Sequence, residues 1–92
     1  MILEIVSPEA TLLHSEVDII SVPGVNGEFQ MLNNHAPIVS LLVEGNIRFQ
    51  GSDVKIEEEF ENKFTSIKGE FSLPIKSGTI EMKENQVIIL AD

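Results

Sequence analysis

Residues 22–38 constrain the possible fold more than any other part of the chain. They have the sequence Val-Pro-Gly-Val-Asn-Gly-Glu-Phe-Gln-Met-Leu-Asn-Asn-His-Ala-Pro-Ile, in which Pro23-Gly24, Asn26-Gly27 and Asn33-Asn34 are turn signals. Gly and Asn tolerate the left-handed backbone that tight turns require. Between the turns only residues 28–32 remain, where apolar and polar side chains alternate as in a half-buried strand. We therefore expect a short strand that is fixed at both ends by tight turns.

Most of the remaining chain consists of short apolar or alternating segments separated by turn residues. Further strands are predicted at residues 2–6, 11–14, 16–22, 38–43, 47–50, 71–76, 79–83 and 86–91. Strands of this length with short connections are typical of a β-sandwich or barrel. Pro74 cannot donate a backbone hydrogen bond, so its strand is expected at a sheet edge or a bulge. The sequence therefore predicts an all-β fold.

Residues 51–69 depart from the strand pattern. Four apolar side chains there are spaced by four, four and three positions, as on one face of a helix: Ile56, Phe60, Phe64 and Ile67. A competing interpretation pairs residues 54–56 with 65–67 as a hairpin. The spacing favours one short helix near residues 57–65, inserted between strands.

Composition limits the classes of function. The 92 residues are enough for one domain with a single modest core. Fifteen acidic against six basic residues give a net charge of −9, which repels phosphate backbones, so no nucleic-acid partner is expected. No apolar run approaches the roughly 20 residues of a membrane-spanning helix, so direct membrane insertion is not expected. The chain has no cysteine and no signal-peptide pattern, which favours a cytoplasmic location.

No group of residues has the pattern of a catalytic or metal site. His14 and His35 are the only histidines, and neither has partners at metal-binding spacing. Neither a Gly-x-Ser-x-Gly motif nor a glycine-rich phosphate loop is present. We therefore expect no enzyme activity, no metal and no cofactor. His35, next to Ala36-Pro37 in a predicted turn, is interpreted as a structural hydrogen-bonding residue or as an interface residue.

Several segments resemble, in the same order, the epsilon subunit of F-type ATP synthases. The most specific is residues 22–38, which resemble that family's run Gly-x-Gly-Glu-φ-Gly-φ-φ-Pro-Gly-His-Ala-Pro, where φ is apolar. Residues 3–9 resemble the family's opening strand, and residues 17–24 and 41–45 resemble the segments before and after this run. Residues 75–82 resemble the family's Leu-Ser-Gly-Gly region, and residues 87–92 resemble its Val-x-φ-Leu-Ala-Asp ending. From this resemblance the chain is identified as a member of the epsilon family.

The resemblance implies a single-domain β-sandwich of about ten strands over residues 1–92. It also implies a non-catalytic rotor subunit of the central stalk, one copy per complex, which passes ion-driven rotation of the c-ring to the gamma subunit. The implied location is peripheral, at the cytoplasmic face of the bacterial plasma membrane. The positions that match family interface residues are Asn26, Gly27 and Glu28 towards the c-ring, and Ser7, His35, Ala36, Pro37 and Ser40 towards gamma.

Three departures from the family pattern are present. Gln30 replaces a glycine and Asn33-Asn34 replace Pro-Gly, residues 51–69 exceed the family's hairpin, and the sequence ends at Asp92. Many family members continue there into an inhibitory helical hairpin, so we expect coupling without inhibition. The alternative is a free-standing ligand-binding β-sandwich, which the absence of Trp and Tyr disfavours.

Overall fold

The computed structural model describes all 92 residues as ten β-strands and one short 3₁₀ helix. The strands are β1 (Ile2–Val6), β2 (Thr11–Glu16), β3 (Ile19–Gly24), β4 (Gly27–Leu32), β5 (Ile38–Leu42), β6 (Gly45–Gln50), β7 (Thr65–Ile67), β8 (Glu70–Ile75), β9 (Gly78–Lys83) and β10 (Gln86–Ala91). The 3₁₀ helix is Glu58–Lys63. The predicted all-β fold of about ten strands with one short inserted helix is confirmed.

The strands form one strongly curled sheet with two halves. The first half-sheet has the order β2-β1-β10-β9-β5, and the second consists of β3, β6, β8 and β7 with β4 paired to the other side of β3. A single residue pair between β3 and β5, Gly24 with Leu42, joins the two halves. All strand pairs are antiparallel except β1 with β10, so the first and last strands of the chain lie side by side in the same direction.

The core lies between the two half-sheets, because buried and exposed side chains alternate along most strands. β10 alternates Val87, Ile89 and Ala91 inward with Ile88 and Leu90 outward. Nineteen buried apolar residues form one continuous cluster. Such a close-packed interior resists deformation, so the sandwich behaves as a stiff body.

The strand predicted at residues 16–22 is present, but its predicted start is wrong. β2 ends at Glu16 and β3 begins at Ile19, because the chain crosses here from one half-sheet to the other. The crossing is held by two backbone hydrogen bonds, from Val17 N–H to the Met1 carbonyl (2.9 Å) and from Asp18 N–H to the Gln50 carbonyl (2.7 Å). Periodicity could not show this break, because apolar residues continue through it.

The predicted helix is present, but it is a six-residue 3₁₀ helix rather than a longer amphipathic one. Phe60 and Phe64 pack against the core as expected, whereas Ile67 lies in β7 and is 66% exposed. The competing hairpin of residues 54–56 with 65–67 is wrong, because β7 pairs with β8. Because residues 65–67 pair with β8, the helix ends at Lys63 and no further turn can form.

Residues 51–64 cover the open edge between the two half-sheets. On one side the Lys55 N–H donates to Ser15 Oγ on β2 (3.0 Å), and Ser15 is buried. On the other side the ring of Phe64 stands edge-on to Phe49, which stacks on Phe71. We call residues 51–64 the covering segment. It keeps water from the core at an edge where the curled sheet does not close on itself.

Candidate docking surfaces

Apart from Ser40 in the middle of β5, the predicted interface residues lie at two opposite ends of the sandwich. At one end, the turn between β3 and β4 places Val25 in the same groove as Ser7 and the C-terminal Asp92. We call this end of the sandwich, which carries Ser7, Asn26, Gly27 and Glu28, the turn end. At the other end, the loop before β5 bonds to the turn between β9 and β10, through the Asn34 N–H and Asn85 Oδ1 (2.8 Å). We call this the loop end.

The turn between β3 and β4 requires both of its glycines. A Cβ on Gly24 would lie 2.7 Å from the Phe29 ring, and Gly27 has a φ of 113°, which other residues rarely adopt. The tight turn leaves Asn26, Gly27 and Glu28 exposed to solvent. These three positions are therefore accessible to a partner, and their contact with a c-ring stays a prediction.

Glu28 does not stand alone at the turn end, because it is paired with Arg48 on β6. Arg48 Nη2 donates to both carboxylate oxygens of Glu28, and Arg48 Nη1 lies 3.7 Å from Glu70 Oε1. The hydrogen bond and the charge of Glu28 raise the pKa of Arg48 above its already high ordinary value. The guanidinium is therefore permanently charged and is shared between two carboxylates.

Ser7 and Ser40, two of the predicted gamma-side positions, have local structural roles. Ser7 closes the turn between β1 and β2, where its Oγ accepts from Ala10 N–H (3.3 Å) and donates to the Ala10 carbonyl (3.2 Å). Ser40 Oγ donates to the Leu41 carbonyl (3.2 Å), and Ser40 faces the core side of the sheet, opposite the buried Ile80. Both are half-buried, so each offers a partner only part of its surface.

His35, Ala36 and Pro37 form the exposed loop end, away from Ser7. The His35 N–H donates to the Leu32 carbonyl (3.2 Å), and His35 Nδ1 lies 2.8 Å from the Ala36 carbonyl. Ser7 and this loop are separated by about the length of the five-residue strand β1, roughly 16 Å. The structure therefore does not gather the predicted gamma-side residues into one cluster. A single partner would have to extend along the sheet.

The neighbouring Asn33-Asn34 pair keeps the turn that the family pattern builds with Pro-Gly. Asn34 has a φ of 62°, in the left-handed region that asparagine tolerates. Asn33 Oδ1 accepts a hydrogen bond from the Met1 ammonium (2.6 Å). The two asparagines thus hold the loop end against the start of β1 and the turn before β10.

The outer surface of the first half-sheet carries an exposed apolar patch that the sequence interpretation missed. Strand register places Val39, Glu81 and Ile88 in one row across β5, β9 and β10, and Leu41, Thr79 and Leu90 in the next. We call this surface the outer apolar face, formed by Val39, Leu41, Ile88 and Leu90. Val39 is 75% exposed and Leu41 is 64% exposed. The two apolar pairs on β5 and β10 flank Glu81 and Thr79 of β9. Exposed apolar side chains that cluster on one surface in this way mark interaction surfaces.

The outer apolar face continues into a groove of about 750 Å³ at the turn end. Val25 and Val43 extend the apolar lining there, beside Val6. The sequence held a signal for this surface, since β5 and β10 are apolar at consecutive positions, and a strand needs only one apolar face to pack on a core. The turn end and the outer apolar face therefore adjoin, although they differ in chemistry.

The structure contains no group of three His, Cys, Asp or Glu side chains placed to bind a metal ion. It also has no helix of the length and apolarity that crossing a bilayer requires.

Comparison with known proteins defines the class of this sandwich. Residues 1–92 match the family described as ATP synthase, Delta/Epsilon chain, beta-sandwich domain, and the chain belongs to this family. The resemblance found in the sequence is thus confirmed.

Its relatives include ATP synthase epsilon chains of several bacteria. The epsilon chain of Desulforamulus reducens is 32% identical over 90 residues, which are 98% of this chain and 57% of the relative. That of Chlorobium limicola is 31% identical over 90 residues, 98% of this chain and 86% of the relative. The chain spans little more than half the length of the first of these.

The fold also matches a solved structure, the central stalk and c-ring of the Tetrahymena thermophila mitochondrial ATP synthase. The TM-score is 0.73 over 99% of this chain and 62% of the matched chain, at 13% sequence identity. At that identity the match shows a shared fold.

Proposed function

We propose that this domain is a non-catalytic central-stalk part of an F-type ATP synthase. It passes the ion-driven rotation of the c-ring to the gamma subunit, and so to ATP synthesis elsewhere in the complex. The observation that carries the proposal is the outer apolar face on an epsilon-type sandwich, adjoining a turn end that exposes Asn26 and the Glu28–Arg48 ion pair. A stiff body with two chemically different contact surfaces is what transmission of torque requires.

The gamma subunit docks on the outer apolar face. Leu41 and Leu90 provide its apolar centre, which is where interfaces concentrate their binding energy. Along the same strands, Ser7 at the turn end and His35 at the loop end lie at the limits of the contact. Ala36 and Pro37 lie beside His35, whereas the Ser40 side chain faces the core side of the sheet, so gamma reaches it only along the edge of β5. The partner thus covers the full length of the sheet.

The c-ring contacts the turn end, through Asn26, Gly27 and Glu28. The resemblance implies basic residues in the c-ring loops, to which the exposed Glu28 carboxylate is complementary. One copy of the domain sits peripherally at the cytoplasmic face of the bacterial plasma membrane, held by these protein contacts. It inserts no segment into the bilayer, and it uses no nucleic acid or cofactor. Within residues 1–92 the only helix is Glu58–Lys63, and the role proposed for these residues is coupling.

The test is reconstitution with gamma and the c-ring from the same genome. Leu41→Asp places a charge in the outer apolar face, and we expect it to abolish co-purification with gamma while c-ring binding remains. Glu28→Lys should do the reverse. Ile67→Asp is the matched control, because Ile67 is 66% exposed but lies on the second half-sheet. Native mass spectrometry and size-exclusion chromatography report the assembly.

Two outcomes contradict the proposal. If Leu41→Asp binds gamma as the unchanged protein does, the outer apolar face is not the docking surface. If the folded, unchanged domain binds neither partner at micromolar concentration, the chain has the fold without the rotor function. His35→Ala should weaken gamma binding only modestly, because rim positions contribute less than the apolar centre.

A ligand-binding module is the second candidate, and the 750 Å³ groove is the observation that favours it. Its lining has no aromatic side chain, and Asp92 is its only charged residue. A ligand would therefore find few polar groups to fix its orientation. Thermal-shift screening of the isolated domain tests this candidate: a ligand that raises the melting temperature and competes with gamma would favour it over the rotor function.

A further inference from the structure

We propose that Arg48 sets how strongly the turn end binds a basic partner loop, because it exchanges between Glu28 and Glu70. This inference rests on the proposed function, since the basic loop belongs to the c-ring. It adds a residue outside the turn that determines the strength and charge selectivity of the contact.

The geometry is a chain of polar contacts across the outer surface of the second half-sheet. Arg48 Nη2 donates to Glu28, while its other terminal nitrogen, Nη1, lies 3.7 Å from Glu70 Oε1. The remaining Glu70 oxygen, Oε2, accepts from Gln50 Nε2 (3.2 Å). Glu70 is therefore held in place beside Arg48 and faces the nitrogen that Glu28 leaves free.

This arrangement means that Glu28 is already neutralised before any partner arrives. A partner lysine or arginine must displace Arg48 from the Glu28 carboxylate. A displaced guanidinium without a counter-ion would oppose the exchange, but Arg48 can close the remaining distance to Glu70. The second carboxylate thus lowers the free-energy cost of displacing Arg48 from Glu28.

The low strength of the resting pair makes this exchange feasible. The side chains of Arg48, Glu28 and Glu70 are 38%, 45% and 35% exposed. Ion pairs with this much solvent contact are weak, because water and salt screen the charges. A partner cation can therefore compete for Glu28 on equal terms.

Space for the incoming side chain is present next to the pair. A depression of about 500 Å³ opens at the turn end, lined by Pro23, Gly24, Gly27, Glu28, Val43, Asn46 and Arg48. Glu28 and Arg48 therefore both border this depression. A basic side chain that enters this depression can reach the Glu28 carboxylate.

If Arg48, Glu28 and Glu70 had a purely structural role, loss of Arg48 would have the opposite effect on binding to the one we propose. If Arg48 only ties β4 to β6, its loss loosens the turn and weakens the contact. If Arg48 competes with the partner, its loss frees Glu28 and strengthens the contact. The sign of the change in affinity distinguishes the two roles.

The experiment measures binding of the gamma-bound domain to the detergent-solubilised c-ring, by surface plasmon resonance at two salt concentrations. We expect Arg48→Gln to tighten binding about threefold and to increase its salt dependence, in keeping with the small energy of exposed ion pairs. Glu70→Gln should weaken binding by a similar factor, because Arg48 then has no second carboxylate. The matched controls are Lys68→Gln and Glu58→Gln, which make the same changes in net charge at exposed residues without an observed ion pair.

The outcomes separate this inference from the proposed function. If the unchanged domain does not bind the c-ring, the c-ring contact itself is wrong and this inference falls with it. If it binds but Arg48→Gln weakens or leaves the affinity unchanged, only the exchange is wrong. Equal tightening by Lys68→Gln would also overturn it, because net charge alone would then explain the effect. Thermal unfolding of each variant confirms that folded proteins are compared.

Discussion

At the scale of single residues, Phe49 has the central position in the aromatic cluster beneath the covering segment. It is the largest fully buried side chain, with its ring 5.5 Å from Phe71 and 5.8 Å from Phe64 between centroids. The stacked and edge-on geometries are those that aromatic pairs prefer. One side chain thus connects β6, β8 and the covering segment.

We predict that Phe49→Leu lowers the free energy of unfolding by about 1–3 kcal/mol, because it leaves a cavity and removes both ring contacts. Urea unfolding followed by far-ultraviolet circular dichroism measures the change. Ile67→Ala is the control, since truncating an exposed side chain should cost less than about 0.5 kcal/mol. Equal losses in both variants would show that the aromatic cluster adds nothing of its own.

A second residue-scale prediction concerns Asn34, whose φ of 62° is left-handed. Asn34→Gly should be neutral or slightly stabilising, because glycine adopts this conformation without steric cost. Asn34→Ala should destabilise by about 1 kcal/mol, because the left-handed region is strained for alanine. The comparison is made by chemical unfolding. Similar stabilities for the two variants would mean that backbone conformation at this position has no energetic weight.

At the scale of elements, the covering segment is the least regular part of the molecule and has a specific anchor. The Lys55 N–H donates to Ser15 Oγ, which is buried on β2. The aromatic cluster holds the other end. Between these two points the segment has only the short 3₁₀ helix Glu58–Lys63. Its order therefore depends on contacts with both half-sheets.

We predict that Ser15→Ala costs about 1–2 kcal/mol, because it leaves the Lys55 N–H without its acceptor. Hydrogen exchange should accelerate selectively in residues 52–64 and remain unchanged in β9 and β10. Ser40→Ala is the matched control, since Ser40 Oγ bonds only to the neighbouring Leu41 carbonyl. Uniform acceleration along the chain would instead indicate global destabilisation, and it would refute a local anchor.

Elements differ in how far the sequence could predict them. Turn residues marked the hairpins well: Glu84 and Asn85 both have positive φ between β9 and β10, as their position between two apolar strands indicated. The break at Val17 could not be predicted, since it is fixed by hydrogen bonds to Met1 and Gln50, which are distant in sequence. Local patterns report turns, whereas sheet crossings depend on long-range partners.

The candidate surfaces were also only partly predictable, because they too depend on residues that are distant in sequence. The exposure of Glu28 followed from the family pattern, but its pairing with Arg48 did not. The two residues are 20 positions apart in sequence, and β3 lies between their strands in the sheet. For Leu90, the apolar run of β10 gave a signal, and only strand register showed that it shares a surface with Leu41. The sequence indicated which residues would be exposed or apolar, but not which other residues would lie beside them in the fold.

At the scale of the whole molecule, a net charge of −9 coexists with the outer apolar face. Charge repulsion keeps copies of the protein apart, while exposed Leu41 and Leu90 favour their association. The balance depends on ionic strength, because salt screens the first effect and not the second.

We therefore predict that the isolated domain self-associates reversibly, and more strongly at about 0.5 M salt than at about 0.05 M, where the screening length is longer. Leu41→Asp should keep it monomeric at both, and Ile67→Asp should not. Sedimentation velocity measures the distribution of species. Association that weakens as salt is added would show that charge contacts, rather than the outer apolar face, bring the copies together.

The parallel pairing of β1 with β10 has a consequence for how the chain is made. Leu3 and Ile5 emerge from the ribosome long before their neighbours Val87 and Ile89. The first half-sheet therefore stays incomplete until β10 has emerged, and until then its apolar strands remain open to chaperones or to aggregation. Folding must follow release of the whole domain, so this domain can join a partner only after its own synthesis has passed residue 91.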